Sequence, residues 1–331
     1  MHILVIGDGA WGTTLAILLS RKGHDVALWS AFPDYAAEVA RTRENRKFLP
    51  GVAIPENVRI VSASAGPLTG CDLAVSAIPT QFIRPALRKA AAQYGRVESV
   101  VSVTKGIENE TLERPSEILQ EVLAPKRLAV LSGPSHAEEV ARDLPTTVVA
   151  ASADEAFSRE VQRIFSTDCF RVYTAHDVIG VEIAGALKNV IAIAAGICDG
   201  LGFGDNSKAA LLTRGLVEIA RLGQAMGARQ VTFAGLAGMG DLITTCYSPF
   251  GRNLAVGRAI GKGEKLSAIL ARMEQVAEGV ATTRGAAKLS AKLGVEMPIT
   301  DQVYRILFED KPARQGVADL MQRNLKPEQD R

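Results

Sequence analysis

The sequence has few aromatic residues, few cysteines and almost no net charge. Phenylalanine, tryptophan and tyrosine make up 5% of its 331 residues, and the formal net charge is +2 at pH 7. A charge this small does not indicate nucleic acid or a membrane surface as a partner, and we expect neither. The cysteines contain no CxxC pair, which predicts reduced thiols in a cytoplasmic protein. They are Cys71, Cys169, Cys198 and Cys246.

The sequence also lacks long uncharged runs. The two longest, residues 9–20 and 60–71, have twelve residues each, whereas a membrane-spanning helix needs about 20. We therefore expect no membrane span. The first residues have no basic leader and reach glycines at once, so we also expect no signal peptide. The polar tail, residues 326–331, is expected to fray.

The sequence does contain enough apolar surface for a globular protein. Hydrophobic residues make up 47% and charged residues 22%, which is not the composition of a disordered chain. A single hydrophobic core rarely grows beyond about 250 to 300 residues, so this length favours two domains.

Two patterns of apolar residues in the sequence predict an α/β protein. Up to about residue 175, short runs of Val, Ile and Leu alternate with helical segments, which is typical of an N-terminal Rossmann domain with a doubly wound, mainly parallel sheet. Beyond it, apolar residues recur at helical spacing, which predicts an all-helical C-terminal domain. The domains are assigned to residues 1–178 and 179–331. Strands are predicted at 3–6, 25–29, 58–62, 73–77, 99–103, 128–131, 146–150 and 170–173, and helices at 11–21, 33–43 and 82–93.

A glycine-rich turn follows the first predicted strand. Residues 7–12 read GDGAWG, a GxGxxG motif between a strand and a helix. Gly7 would permit the tight turn, Gly9 would let a pyrophosphate approach the backbone, and Gly12 would let helix and strand pack closely. The alternative is a plain strand-to-helix turn. The order of strand, glycines and helix favours a dinucleotide site.

The choice between NAD and NADP stays open. The second strand ends at Trp29-Ser30-Ala31, without the acid that commonly binds the ribose hydroxyls and without an arginine for a 2′-phosphate. Four basic residues follow, which we interpret as a solvated helix face. They are Arg41, Arg43, Arg46 and Lys47.

A lysine lies in an otherwise apolar helical segment. In residues 179–198 the only charges are Glu182 and Lys188. Lys188 points about 100° away from the helix face of Asn189 and Glu182, so an ion pair with Glu182 is not expected. One interpretation is a lysine that extends to the surface. The other is a general acid and base at the cofactor cleft, since desolvation lowers the pKa of a lysine.

Several loops could hold a phosphate and a hydroxyl. Two glycine-rich turns, residues 202–206 and 235–241, each contain an acid suited to cap a helix, and we expect Asp205 to do so. Asp241 precedes Arg252 and Asn253, a combination that suits a phosphate dianion and substrate hydroxyls. Lys105 follows a predicted strand and could neutralise a phosphate. Residues 136–139 read HAEE, which does not match HExxH, so no metal is expected.

Taken together, these segments resemble the bacterial NAD(P)-dependent glycerol-3-phosphate dehydrogenases. The resemblance extends from residue 7 to about residue 280. The matching segments are GDGAWGTTLA, VTKGIE, LSGPSHAEEV, GVEIAGALKNVIAIAAG, GFGDNSKAALLTRGLVE, GLAGMGDLITTC, GRN and VAEGV.

The resemblance implies a role for individual residues. Lys188 would be the catalytic proton donor and acceptor. The substrate-binding residues would be Lys105, Gly133, Ser135, Lys188, Asp241, Gly251, Arg252 and Asn253. The cofactor-binding residues would be Gly7, Gly9, Ala10, Trp11, Gly12, Phe48, Lys105, Ala137, Arg252, Val276 and Glu278.

Three positions depart from the family pattern. Ala10 and Gly251 stand where the family commonly has serine, so only backbone contacts would remain there. Ala31 replaces a common basic residue, which weakens the case for a strong NADPH preference.

The resemblance also implies the reaction. It would be reversible hydride transfer between NAD(P)H and dihydroxyacetone phosphate, giving sn-glycerol 3-phosphate for glycerophospholipid synthesis in a cytoplasmic homodimer. Two alternatives are a related 3-hydroxyacid-type dehydrogenase and a non-catalytic, nucleotide-sensing Rossmann module.

Overall fold

The computed structural model describes residues 1–62, 70–94, 97–325, 327 and 328, without the side chains of residues 89–94. Most of the uncharged run 60–71 and most of the tail 326–331 lie outside the described residues. The expectation of a frayed tail therefore stays a prediction.

Eight strands among the described residues form one sheet in the order β3-β2-β1-β4-β5-β6-β7-β8. The first six run parallel, β7 is antiparallel to β6, and β8 is parallel to β7. The predicted mainly parallel sheet is confirmed. The strands are β1 (His2–Ile6), β2 (Asp25–Ser30), β3 (Val58–Ser62), β4 (Leu73–Ser76), β5 (Ser99–Ser102), β6 (Arg127–Ser132), β7 (Thr146–Ala151) and β8 (Phe170–Ala175).

Helices cover both faces of this sheet. In β1, Ile3 and Val5 enter one apolar cluster while Leu4 and Ile6 enter another on the opposite face, as the twofold side-chain period of a strand requires. Both faces are therefore buried, which explains why the strand sequences are almost continuously apolar. The helices of this half are α1 (Ala10–Arg21), α2 (Pro33–Thr42), α3 (Thr80–Tyr94), α4 (Pro115–Leu123), α5 (Ala137–Val140) and α6 (Glu155–Phe165).

The second half contains only helices among its described residues, which confirms the predicted helical C-terminal domain. A short π-helical segment, Leu236–Gly240, precedes α10. The helices are α7 (Val178–Gly200), α8 (Asp205–Ala225), α9 (Gln230–Phe233), α10 (Asp241–Tyr247), α11 (Arg252–Gly261), α12 (Leu266–Ala271), α13 (Glu278–Leu293), α14 (Pro298–Phe308) and α15 (Ala313–Met321).

Helix α7 is the core of the helical domain. It is long and apolar enough to cross a membrane, but 89% of its most apolar window is buried inside the protein. Helices α8, α10, α11 and α13 pack around it. Close packing with α11 depends on glycine, because a Cβ at Gly196 would lie 2.2 Å from the Leu254 carbonyl oxygen.

The N-cap of α8 and the four cysteines were also subjects of prediction. The expectation that Asp205 caps α8 is wrong: Gly204 is the N-cap without a side-chain hydrogen bond, and Asp205 is the first helical residue. Its carboxylate lies in the first turn, where the helix dipole favours negative charge. All four cysteines are free thiols.

Glu182 in α7 forms a buried ion pair with the N-terminal domain. The residue is 3% exposed, and its Oε2 lies 2.5 Å from Nη1 of Arg114. Ser116 adds a backbone N–H at 2.8 Å and a hydroxyl at 2.6 Å. Glu182 therefore has partners outside its own helix, in agreement with the expectation that it does not pair with Lys188.

We expect Arg114→Met to destabilise the fold. The change leaves the Glu182 carboxylate buried without its cation, which costs about 3–5 kcal/mol. The measurement is the free energy of unfolding from urea titrations followed by circular dichroism. The control is Arg88→Met, whose side chain is 62% exposed in its pair with Glu121 and should change stability by less than about 1 kcal/mol. Equal effects of the two changes would contradict the assignment.

Candidate active site

The candidate site lies at the carboxyl edge of the parallel strands. The strand order reverses between β1 and β4, and open α/β sheets bind ligands in the crevice at such a point. Gly7 follows β1, Lys105 follows β5 and Gly133 follows β6. Adjacent strands are about 4.8 Å apart, so β1 and β5 are separated by about 10 Å at this edge.

Backbone conformation and close contacts within the protein explain why two of the three motif positions, 7 and 12, are glycine. Gly7 has φ +115°, a conformation that other residues rarely adopt, and a Cβ there would lie 2.8 Å from the Ala77 carbonyl oxygen. A Cβ at Gly12 would lie 1.9 Å from the Gly7 carbonyl oxygen. The predicted roles of Gly7 in the turn and Gly12 in close packing are confirmed.

Neither backbone conformation nor a close contact within the protein requires glycine at position 9. Its φ of −63° suits any residue, and a Cβ there would have no atom within 4 Å. The open space above Gly9 fits a phosphate group that approaches the backbone. Helix α1 begins here without a side-chain cap and without an acid in its first turn, so its N–H groups and dipole are available to an anion. These residues fit a dinucleotide coenzyme.

Two lysines share one buried carboxylate. Nζ of Lys188, on α7, lies 2.5 Å from Oδ1 of Asp241 and 2.6 Å from Oγ1 of Thr245. Nζ of Lys105 lies 2.6 Å from Oδ2 of Asp241 and 3.0 Å from the carbonyl oxygen of Gly133. Lys188 is 7% exposed, so the alternative that it extends to the surface is wrong. Asp241 makes no capping hydrogen bond in α10.

Burial and neighbouring charges have opposing effects on the pKa values of Lys188 and Asp241. Burial lowers the pKa of Lys188 to about 8, with Asp241 opposing the shift and Lys105 adding to it. Burial by itself would raise the pKa of Asp241, but the two ammonium groups outweigh burial and lower it. Asp241 therefore stays ionised, while Lys188 can gain or lose a proton near neutral pH.

The cluster carries an excess of positive charge. Lys105 and Asp241 cancel, and a protonated Lys188 leaves one positive charge in a buried site. His136 adds none, because burial and the charges of Lys188 and Lys105 lower its pKa to about 4. Such a site favours an anionic or carbonyl-bearing ligand over a cation.

The loop after β6 contacts the lysine cluster through the carbonyl oxygen of Gly133. The hydroxyl of Ser135 donates to the Gly133 carbonyl oxygen at 2.9 Å, the same oxygen that accepts from Lys105. Gly133 has φ +139°, and a Cβ there would lie 3.0 Å from the Cα of Val148. Three residues predicted from the sequence are therefore brought together: Lys105 after β5, Gly133 after β6 and Lys188 in α7.

Helix α11 begins beside this cluster. Gly251 is its N-cap, without a side-chain cap and with no acid in the first turn. Asn253 bridges two elements: its Nδ2 donates to Asn189 at 2.9 Å, and its Oδ1 accepts from the Gly279 N–H at 2.9 Å. Since Asn189 follows Lys188 in α7, this contact fixes α11 next to the lysine.

Arg252 and Glu278 lie on the side facing β4. Arg252 is exposed and donates to the Val276 carbonyl oxygen at 2.9 Å. Oε1 of Glu278 accepts from the Thr80 N–H at 3.2 Å, and burial raises the pKa of Glu278 to about 7, while Thr80 and Arg252 oppose the rise. Three predicted residues, Arg252, Val276 and Glu278, therefore share one region.

The remaining predicted cofactor residues surround the glycine turn. Ala10 is the first residue of α1, and the adjacent Trp11 packs against Phe170 with ring centroids 6.3 Å apart. The Ala137 carbonyl oxygen accepts from Thr14 of α1 at 3.2 Å. Phe48 donates its N–H to Asn45 at 3.2 Å, and Asn45 in turn donates to the Asp8 carbonyl oxygen.

Sequence reasoning missed two residues of the cluster and misjudged a third. Thr245 lies four residues after Asp241, on the same helix face, and this spacing could have identified it. The sequence pattern assigns Asn189 only a helix face. It tests His136 only against a metal-binding motif, although the charges of both lysines act on this residue. Among the described residues, no group of three or more His, Cys, Asp and Glu side chains could hold a metal ion.

The fold and this site define the class of protein: a Rossmann-fold oxidoreductase with a helical C-terminal domain. The sequence profile for the NAD-dependent glycerol-3-phosphate dehydrogenase N-terminus matches residues 2–158, and the profile for the C-terminus matches residues 177–318. The chain belongs to the NAD-dependent glycerol-3-phosphate dehydrogenase family. The resemblance found in the sequence is therefore confirmed, as is NAD or NADP as the cofactor.

Full-length relatives agree with this assignment. A glycerol-3-phosphate dehydrogenase [NAD(P)+] from Geobacter sp. (strain M21) is 53% identical, with 98% of each chain covered. One from Prosthecochloris aestuarii is 51% identical, covering 99% of this chain and 100% of the relative. The crystal structure of glycerol-3-phosphate dehydrogenase from Coxiella burnetii is 37% identical with a TM-score of 0.90, covering 97% of this chain and 99% of that chain.

We expect Gly9→Ala to weaken coenzyme binding without destabilising the protein. The new methyl group meets no protein atom, so the free energy of unfolding should stay within about 1 kcal/mol. The methyl group occupies space that the pyrophosphate needs, so the Kd for NADH or NADPH should rise about tenfold or more. Calorimetric titration measures the Kd. Gly12→Ala is the matched control: it should lower stability, because its Cβ meets the Gly7 carbonyl. Unchanged binding by Gly9→Ala would contradict the role of Gly9.

Proposed function

We propose that this chain catalyses reversible hydride transfer between NAD(P)H and dihydroxyacetone phosphate, giving sn-glycerol 3-phosphate, with Lys188 as the general acid and base. The observation that carries the proposal is the buried Lys188 amine, held 2.5 Å from Asp241 with its pKa lowered to about 8. A group that performs acid and base chemistry near neutral pH needs such a pKa.

The protein groups have distinct tasks in this proposal. A coenzyme held at the glycine turn would provide the hydride that reduces the carbonyl carbon. Lys188 gives its proton to the carbonyl oxygen, which becomes the C2 hydroxyl, and takes that proton back in the reverse direction. Asp241 and Thr245 orient the amine, and Asp241 stabilises its charged form. Lys105 limits that stabilisation by sharing the same carboxylate.

The phosphate would lie at the start of α11. There the free N–H groups after Gly251, the helix dipole and the Arg252 guanidinium favour a dianion. Asn253 and the Asn189 contact hold this helix start next to Lys188. The proposed substrate-binding residues are Lys105, Gly133, Ser135, Lys188, Asp241, Gly251, Arg252 and Asn253.

The coenzyme would extend from the glycine turn toward the lysine cluster. The free N–H groups at the start of α1 would hold its pyrophosphate, and Glu278 and Lys105 would hold its nicotinamide end. The proposed cofactor-binding residues are Gly7, Gly9, Ala10, Trp11, Gly12, Phe48, Lys105, Ala137, Arg252, Val276 and Glu278.

The proposal includes the setting of the enzyme. We infer domains at residues 1–178 and 179–331, a cytoplasmic homodimer that needs no membrane or nucleic acid, and a product used in glycerophospholipid synthesis. The transition from β8, which ends at Ala175, to α7, which begins at Val178, supports the domain boundary.

We expect Lys188→Ala to abolish reduction of dihydroxyacetone phosphate while the Kd for NADH stays within about threefold. Lys188→Arg should be equally inactive, because arginine keeps the charge but does not release its proton. The measurements are NADH absorbance for turnover and calorimetry for binding. The control is Lys292→Ala, a change at an exposed lysine in the last turn of α13, which should retain activity.

Two outcomes would separate the alternatives. Turnover of 3-hydroxy acids instead of dihydroxyacetone phosphate would favour the hydroxyacid-type dehydrogenase. Binding of coenzyme without turnover of either substrate would favour a nucleotide-sensing module. Full activity of Lys188→Ala would remove this lysine from the mechanism.

We expect opposite pH profiles for the two directions of the reaction. Reduction needs the ammonium form of Lys188, so kcat/KM for dihydroxyacetone phosphate should fall as pH rises through about 8. Oxidation needs the free amine, so kcat/KM for sn-glycerol 3-phosphate should rise over the same range and then level off. Initial rates between pH 7 and 10 test this. Profiles with the same sign in both directions would contradict the assignment.

A further inference from the structure

The coenzyme site contains a buried acid in an unusual position. Rossmann proteins that bind NAD commonly place an acid at the end of β2 to accept from the ribose hydroxyls. Here β2 ends at Ser30, which is followed by Ala31 and Phe32. A buried carboxylate beside this strand end comes instead from the glycine turn, at Asp8.

Asp8 lies level with the end of β2. The Gly7 N–H donates to the Trp29 carbonyl oxygen at 3.0 Å, which continues the pairing of β1 with β2 by one residue. The side chain of Ser30, the last residue of β2, acts on the Asp8 carboxylate there and favours its ionised form. Asp8 therefore supplies a negative charge where a β2 acid would otherwise stand.

The backbone of Asp8 is held in place by neighbouring side chains. Its carbonyl oxygen accepts from Asn45 Nδ2 at 2.7 Å and from Thr13 Oγ1 at 3.2 Å. Tyr35 in turn donates to Asn45 Oδ1 at 2.6 Å. These bonds fix the Asp8 backbone beside the end of β2.

The carboxylate is poorly compensated. Asp8 is 9% exposed, and its Oδ2 is buried without a hydrogen-bond partner. Burial raises the pKa of Asp8, while the Ser30 side chain and the charge of Lys47 oppose the rise. A charge with so little water around it interacts strongly with any ligand charge placed nearby.

The basic residues near this position offer little compensation for a 2′-phosphate. The Arg43 guanidinium donates to the carbonyl oxygens of Pro55 and Val58, and Arg46 pairs with Glu44 at 3.1 Å. Arg41 lies in the last turn of α2. Arg41 and Lys47 are the remaining candidates, and the charge of Lys47 already acts on Asp8.

We propose that Asp8 is a specificity-determining residue that makes this enzyme prefer NAD(H) to NADP(H). The inference deepens the proposed coenzyme site and depends on it. Ribose hydroxyls tolerate the Asp8 carboxylate, whereas a 2′-phosphate brings about −1.5 to −2 charges next to it. Since Oδ2 is buried in the free protein, Asp8 acts through its charge rather than through a direct hydrogen bond to the ribose.

The test is calorimetric titration of the full-length protein with NADH and with NADPH at pH 7.5. The wild type should bind NADH more tightly. Asp8→Asn keeps a hydrogen-bond acceptor for Ser30 but removes the charge, so the ratio Kd(NADPH)/Kd(NADH) should fall by about tenfold.

The matched control is Asp34→Asn, an exposed acid in the first turn of α2, which should leave the ratio unchanged. An unchanged ratio in Asp8→Asn, or tighter NADPH binding by the wild type, would overturn the proposal. If the variant does not fold, the wild-type comparison can still overturn the proposal. Binding is measured without substrate, so the result stands apart from whether dihydroxyacetone phosphate is turned over.

Discussion

The site depends on a single carboxylate that holds two ammonium groups. Asp241 lies 2.5 Å from the Lys188 amine and 2.6 Å from the Lys105 amine, in a region from which water is largely excluded. A buried lysine without this carboxylate would be too costly to keep charged, and with the carboxylate to itself it would hold its proton too firmly. Sharing the carboxylate with Lys105 sets the pKa of Lys188 between these limits.

The rest of the architecture positions the members of this cluster. The parallel sheet brings the residues after β5 and β6 to one edge, where Lys105 and Gly133 meet. Three polar residues of helix α7 have different partners: Glu182 pairs with Arg114 of the N-terminal domain, Lys188 contacts Asp241 of α10, and Asn189 contacts Asn253 of α11. Because the helix is buried nearly all round, each of its polar residues needs its own partner, and each partner attaches a further element to the core.

The sequence predicts local features well and long-range contacts poorly. Strand β1 was predicted at residues 3–6 and spans His2–Ile6, because alternation and composition are local signals. The sequence identifies Lys188 as a candidate functional residue, because a charge in an apolar helix is energetically costly. Its contact with Asp241, 53 residues away, depends on how α10 packs on α7, and no periodicity encodes that. The Glu182 and Arg114 pair, 68 residues apart, was missed for the same reason, and Asp205 was misjudged because Gly204 takes the cap position.

The charge cluster also couples the two domains. Lys105 belongs to the sheet edge, whereas Lys188 and Asp241 belong to the helical domain, so the ion pair between Lys105 and Asp241 crosses from one to the other. The charge of Lys105 lowers the pKa of both Lys188 and Asp241, so removing Lys105 changes the field on both groups. The energetic effects of changes at these three positions should therefore not add. Docking of the domains and the acidity of Lys188 are, in this structure, consequences of the same contacts.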